Sequence, residues 1–132
     1  MKACTPLLVL LLASIRVAAP TALGEGPMVE ITAGSDNTFR VANEKSPLIR
    51  ARPGELLRLH VTSQRGSEAA RDGAVHSIVI RSFRSEGWDI RLYEGTRVYE
   101  VKAPATPGDY LIECTVKCGR GHDDMRMKLL VR

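Results

Sequence analysis

The chain has 132 residues, of which 44% are hydrophobic and 26% are charged, and its formal net charge is +4. This length suits one domain that buries enough apolar surface to fold alone. The positive charges are scattered singly and are not clustered in runs with interleaved aromatic residues, as a nucleic-acid-binding surface requires. Nucleic acid is therefore not an expected partner.

The first 24 residues have the layout of a secretory signal peptide. Lys2 precedes a Leu-rich apolar run at residues 6–13, and small residues follow as far as Gly24. The apolar run is shorter than the roughly 20 residues that cross a bilayer. We expect cleavage near residue 24, within the range 19–26, and a periplasmic or otherwise exported product.

Cleavage at this point leaves a single domain at residues 25–132 and lowers the formal charge from +4 to +2, because Lys2 and Arg16 are lost with no acidic residue. Cys4 is removed as well, so two cysteines remain. If the segment is retained instead, it would tie the chain to a membrane.

The mature region alternates short extended segments with turn residues. In residues 57–62 every second side chain is apolar, and residues 29–32 and 97–101 alternate in the same way. Residues 64–73 are polar and glycine-bearing, which is typical of a loop. Some eight short strands with turns about every dozen residues predict an all-β sandwich.

Residues 114–125 concentrate the soft metal ligands of the C-terminal half. Cys114 and Cys118 are four residues apart, and His122 and Met125 follow at intervals of four and three. Thiolate and thioether donors favour copper(I) or zinc, and imidazole suits both metals. A disulfide between the two cysteines is the alternative in an exported chain, but it leaves the histidine and the methionine without a role.

A further ligand is expected from another strand. His76 begins a strand directly after the polar loop, which places it near one end of the sandwich. His60 lies in the middle of an alternating strand with its side chain predicted to face outward. We therefore select His76 as a candidate ligand and assign His60 to the surface.

Three motifs together resemble the binuclear CuA domain of cytochrome c oxidase subunit II. They are Val75-His76-Ser77, Pro107-Gly108-Asp109-Tyr110 and Cys114-x3-Cys118-Gly-x-Gly-His122-x2-Met125. The similarity runs from about Phe39 to the C-terminus, and nitrous oxide reductase carries a similar domain. It implies a cupredoxin-like Greek-key β-sandwich.

The resemblance also implies a set of copper ligands. Cys114 and Cys118 would bridge two copper ions, and His76 and His122 would each bind one of them. Met125 and the main-chain carbonyl of Val116 would be weak ligands.

The sequence departs from this family at two acidic positions. Val116 stands where subunit II generally has an acid that helps form a magnesium site, and Gly73 replaces an acid three residues before His76. No transmembrane hairpin precedes the domain. These departures favour a free exported domain over a docked oxidase subunit.

The function predicted from these residues is electron transfer with a redox protein such as a cytochrome c or an oxidase. The chain is not expected to be an enzyme by itself, since no nucleophile, acid pair or phosphate loop accompanies the metal ligands. A copper carrier that delivers metal to an acceptor protein would use the same ligands. Structural zinc bound by the two cysteines and two histidines, and a mononuclear copper site, also remain open.

Overall fold

The computed structural model describes residues 26–132, so the proposed signal segment lies outside the described residues. Nine strands cover most of this region, one more than the sequence indicated, and they confirm the all-β prediction. The strands are β1 (Met28–Ala33), β2 (Phe39–Val41), β3 (Leu48–Ala51), β4 (Leu56–Ser63), β5 (His76–Val79), β6 (Asp89–Leu92), β7 (Gly95–Lys102), β8 (Gly108–Glu113) and β9 (Arg126–Val131).

The strands form two sheets packed face to face. One sheet has the order β2-β1-β4-β7, and the other has the order β3-β9-β8-β5-β6. Neighbours are antiparallel except for β1 beside β4 and β3 beside β9, which are parallel. The chain therefore crosses repeatedly between the sheets, and the layer between them is the core.

Alternating side chains of both sheets supply this core. In β4, Leu57, Leu59 and Val61 are buried, and the residues between them are half-buried. Trp88 is fully buried, and its indole Nε1 donates a hydrogen bond to the carbonyl of Lys102 at 2.8 Å. Each such large apolar side chain contributes roughly 1.5–3 kcal/mol through burial. The domain therefore has a hydrophobic core of its own.

Two short 3-10 helices were not expected from the sequence. They span Arg81–Glu86 and His122–Asp124, segments too short and too polar to show an apolar periodicity. Within residues 26–132, neither helix is long enough or apolar enough to cross a membrane.

The strand register gathers several loops at one end of the sandwich. In the parallel pair of β1 and β4, Ala33 lies opposite Ser63, so both strands end there. Glu113 at the end of β8 lies opposite Arg126 at the start of β9. Because β5 runs antiparallel to β8, it begins at this same end. The loops after β1, β4 and β8 therefore meet around the start of β5.

The loop between β4 and β5 is irregular, as predicted, and one ion pair ties it to β6. Both Oδ atoms of Asp72 accept hydrogen bonds from the guanidinium of Arg91, at 2.7 and 2.8 Å. The backbone N–H of Ala74 also donates to Asp72. These bonds, chiefly those from Arg91, lower the pKa of Asp72 to about 2.

This pKa predicts how the stability of the fold responds to acid. Since the pKa of Asp72 falls from its ordinary value of 3.8 to about 2 on folding, the stabilisation is nearly complete above pH 4 and is lost as the pH falls towards 2. We expect Asp72→Asn to make the loss of unfolding free energy between pH 4 and pH 2 shallower than in the unmodified protein. Urea titrations across this range measure it, and identical slopes for the two proteins would contradict the assignment.

Candidate metal site

The segment between β8 and β9 is a loop closed by its own backbone. The N–H of Cys114 donates to the carbonyl of Met125 at 3.1 Å, which joins the two ends of the loop. Within the loop, the N–H of His122 donates to Gly119 and that of Met125 donates to His122, both at 3.1 Å. We call residues 114–125 the ligand loop. Its backbone bonds bring four candidate side-chain ligands into one loop.

The two sulfurs lie inside the protein with His76. Cys118 is fully buried and Cys114 is 6% exposed, and both are free thiols. One ligand atom from each of His76, Cys114 and Cys118 lies within 4.8 Å of the others. The structure thus brings together residues that are far apart in sequence, and it contains no disulfide between these cysteines.

The ring of His76 is held in one orientation. Its Nε2 lies 2.7 Å from the main-chain carbonyl of Gln64, an acceptor, so this nitrogen carries the proton. Its Nδ1 is buried without a hydrogen-bond partner. Burial lowers the pKa of His76, which favours the neutral ring. The Nδ1 lone pair is therefore free to bind a cation.

The remaining candidates surround the sulfurs. Nδ1 of His122 lies 3.5 Å from Sγ of Cys118, and Sδ of Met125 lies 3.8 Å from the same sulfur. The carbonyl oxygen of Val116 is 3.3 Å from Sγ of Cys114. Each residue that the sequence analysis proposed as a ligand thus contributes an atom at or next to the sulfur pair.

The chemistry of these donors fits a soft metal ion. Burial raises the pKa of the Cys118 thiol to about 12, and the neighbouring Cys114 adds to the rise. A bound cation would reverse this effect by favouring the thiolates. It would also supply the missing partner of the His76 Nδ1. Together, the buried sulfurs and the unpartnered nitrogen form a site that can hold a metal.

His60 lies elsewhere, as the sequence analysis expected. It is in the middle of β4 on the outer side of the other sheet, where its Nδ1 is 2.5 Å from the Glu30 carboxylate.

Several contacts that support the site were not found by sequence reasoning. Ser77 follows His76, and its Oγ accepts a 2.7 Å hydrogen bond from the N–H of Thr115. The Gln64 carbonyl that orients His76 belongs to the main chain and so has no sequence signal. Asn37, in the turn after β1, donates two hydrogen bonds from its side-chain amide to the ligand loop.

Gly119 allows the ligand loop to approach the loop that follows β4. Its φ is +116°, in the region that favours glycine, and a Cβ at this position would lie 2.0 Å from Oγ of Ser67. The N–H of Glu68 donates to the carbonyl of Cys118 at 3.2 Å across this contact. A side chain at residue 119 would force the two loops apart.

Comparison with solved structures identifies the fold. A chain of a heme-copper terminal oxidase dimer is 20% identical, with a TM-score of 0.58, and the match covers 97% of this chain and 79% of that one. The periplasmic domain of cytochrome oxidase subunit II (CoxB) of Bradyrhizobium japonicum is 17% identical, with a TM-score of 0.51 and coverage of 80% and 83%. Auracyanin B is 18% identical, with a TM-score of 0.50 and coverage of 80% and 88%.

These similarities confirm that the chain has a cupredoxin-like fold. The sequence matches no protein-family model and no curated protein.

Gly119→Ala is expected to destabilise the protein more than a glycine substitution that meets no neighbour. Gly54 also has a positive φ, +70°, but a Cβ there would meet nothing within 4 Å. Backbone strain alone costs of the order of 1–3 kcal/mol. Gly54→Ala therefore measures the loss of unfolding free energy that comes from this strain. Gly119→Ala should lower the free energy of unfolding further, because its Cβ also overlaps Ser67.

Urea unfolding of the two variants provides the comparison. Adding Ser67→Gly to Gly119→Ala should recover the part of the loss that comes from the overlap. Equal destabilisation by Gly54→Ala and Gly119→Ala would show that the close approach of the two loops is wrong.

Proposed function

We propose that this chain is an exported copper-binding electron-transfer protein with a binuclear CuA-like centre on its cupredoxin-like fold. The observation that carries the proposal is the cluster of two buried free thiols and His76, whose Nδ1 has no hydrogen-bond partner. Two thiolates and an imidazole form a donor set that favours a soft metal. The fold similarity to the periplasmic domain of an oxidase subunit II supports copper over zinc.

In this proposal each residue near the sulfur pair has a defined role. Cys114 and Cys118 would hold two copper ions through their sulfurs, and His76 and His122 would bind one ion each. The sulfur of Met125 and the carbonyl of Val116 would be weak ligands. The short distances from these groups to the cysteine sulfurs support the assignment.

When bound, a pair of copper ions would supply reversible one-electron chemistry, with the charge shared between the two ions. The protein contributes a fixed and largely dry environment. The Gln64 carbonyl holds the His76 ring, and burial of both sulfurs excludes water. The closed ligand loop keeps His122 and Met125 near Cys118. Ligands that are held in this way move little when charge is gained or lost, which favours fast electron transfer.

We further propose that the partner is a redox protein such as a cytochrome c or an oxidase, and that the encounter takes place in the periplasm. Support comes from fold similarity to a chain of a heme-copper terminal oxidase dimer and to a periplasmic oxidase domain. Val116 is buried and apolar, so its side chain offers no carboxylate for a second metal at a subunit interface. This favours a freely diffusing domain.

A copper carrier is the second candidate, and one feature of the site favours it. A pocket of about 120 Å³ lies against Cys114, His122 and Met125. The charged side chains of Arg81 and Asp123 also line it. An opening onto three candidate ligands gives an acceptor protein a route to the metal. Transfer of copper to an apo acceptor, with no reaction towards a reduced cytochrome, would select this function over electron transfer.

Copper reconstitution of the mature protein tests the leading proposal. We expect two copper ions per chain, a purple colour and the electron spin resonance signal of a mixed-valence pair. Metal analysis together with an absorption spectrum provides the measurement. A colourless protein with one tightly bound metal ion would exclude the binuclear centre.

Met125→Leu distinguishes copper from structural zinc. The thioether is a weak copper ligand in our proposal, so its loss should shift the absorption bands of the copper-loaded protein. Zinc held by the cysteines and histidines would leave Met125 without a role, and the substitution would then change nothing. Met127→Leu is a matched control, since Met127 is also buried but belongs to β9. The same spectrum for both variants would contradict the role of Met125.

A further inference from the structure

A single side chain links the turn after β1 to the ligand loop. The amide of Asn37 donates one hydrogen bond to the carbonyl of Arg120 at 2.6 Å and another to that of Cys118 at 3.2 Å. Asn37 is 3% exposed and the bond to the carbonyl of Cys118 is buried, so the amide itself is shielded from bulk water. Both acceptors lie in the part of the loop between Cys118 and His122.

The turn that carries Asn37 is held by several hydrogen bonds of its own. The N–H of Asn37 donates to the carbonyl of Gly34, and the N–H of Gly34 donates to that of Thr38. The Asp36 carboxylate accepts hydrogen bonds from the Thr38 hydroxyl and the Arg40 guanidinium. Asn37 has a φ of +57°, a left-handed conformation that asparagine tolerates better than most residues. The amide is therefore presented from a fixed support that does not depend on the ligand loop.

This arrangement leaves one group unsatisfied. The side-chain oxygen Oδ1 of Asn37 is buried and has no hydrogen-bond partner. A buried polar atom without a partner is unfavourable, because it has lost its hydrogen bonds to water. The two donated bonds offset this cost, and they act on the segment that joins two candidate ligands.

The carbonyl of Cys118 receives a second donor from another loop. The N–H of Glu68, in the loop after β4, bonds to it at 3.2 Å. That same loop contains the Gln64 carbonyl that orients His76. The backbone of Cys118 is thus fixed from two directions, by Asn37 on one side and by the support of His76 on the other.

We propose that Asn37 is a positioning residue that holds the segment from Cys118 to His122 in its metal-binding conformation before metal arrives. Its amide bonds to the carbonyls of Cys118 and Arg120 and not to the sulfurs or the imidazoles, so it acts through the backbone of the ligand loop. Ligands held in place in advance bind with a smaller loss of conformational freedom. This inference rests on the proposed metal site, but its first consequence concerns the metal-free protein.

Asn37→Asp tests this role, because it keeps the shape of the side chain and replaces the donating amide with acceptor oxygens. In the metal-free protein, we expect backbone amides of residues 118–122 to exchange hydrogen at least tenfold faster than in the unmodified chain. Amides in the core strand β9 should be unchanged. Equal acceleration across β9 would indicate general destabilisation and would overturn the proposal.

The second measurement is the affinity of the protein for copper. Loss of an outer partner of a ligand typically weakens metal affinity by about 10- to 100-fold, so Asn37→Asp should lower copper affinity by this factor and alter the absorption spectrum. Asn43→Asp is the control, because Asn43 also has a positive φ, +65°, and is exposed in a different turn. Asn43→Asp should match the unmodified protein in both exchange and affinity.

The outcomes separate the two proposals. If the unmodified protein binds no copper, the proposed function fails, and hydrogen exchange alone still decides the role of Asn37. If Asn37→Asp matches the unmodified protein in exchange and in affinity, the positioning role is wrong. Should Asn37→Asp not fold, Asn37→Gly replaces it with the same expected results, since glycine keeps the left-handed backbone and adds no charge.

Discussion

The hydrogen bond between His76 and the carbonyl of Gln64 is the constraint on which the site depends. It fixes the proton on Nε2 and leaves the buried Nδ1 without a hydrogen-bond partner. A ring rotated by half a turn would place a carbon where Nε2 now lies and would lose this bond. Because Gln64 directly follows the last residue of β4, the end of one strand determines the chemistry at the beginning of another.

The two sheets and the loops contribute to the site in different ways. The two sheets bury the apolar side chains and bring the ends of β1, β4 and β8 together at the start of β5. The loops then fix individual atoms through main-chain carbonyls and N–H groups. Their positions are set by backbone bonds and by close approach at Gly119. The side chains of Cys114, Cys118 and Met125 also pack into the hydrophobic core, so the site and the core share one set of contacts.

Much of this structure was predictable from the sequence, for identifiable physical reasons. Period-two alternation gave the strands, and β4 shows the expected inward Leu57, Leu59 and Val61. The compact run of sulfur and imidazole donors marked the ligand loop. Donor type and local spacing can be read from the side chains, and the fold places His122 and Met125 within 3.8 Å of the Cys118 sulfur. Their role as ligands remains a prediction.

The rest depends on tertiary contacts that leave no local pattern. Asn37 looks like an ordinary turn residue until the fold places it against residues 118–120. The Gln64 carbonyl is a main-chain atom, which any residue type would supply. The 3-10 segment at Arg81–Glu86 lacks an apolar periodicity and was not expected.

The eight-residue strand β7 has consequences beyond the site, because it forms an edge of its sheet. Its unpaired backbone groups could recruit a strand from another molecule and start ordered aggregation. Arg97, Glu100 and Lys102 lie along this strand and are exposed, and a neighbouring chain would have to desolvate their charges in order to pair. Charged side chains along an edge strand therefore oppose edge-to-edge pairing between molecules.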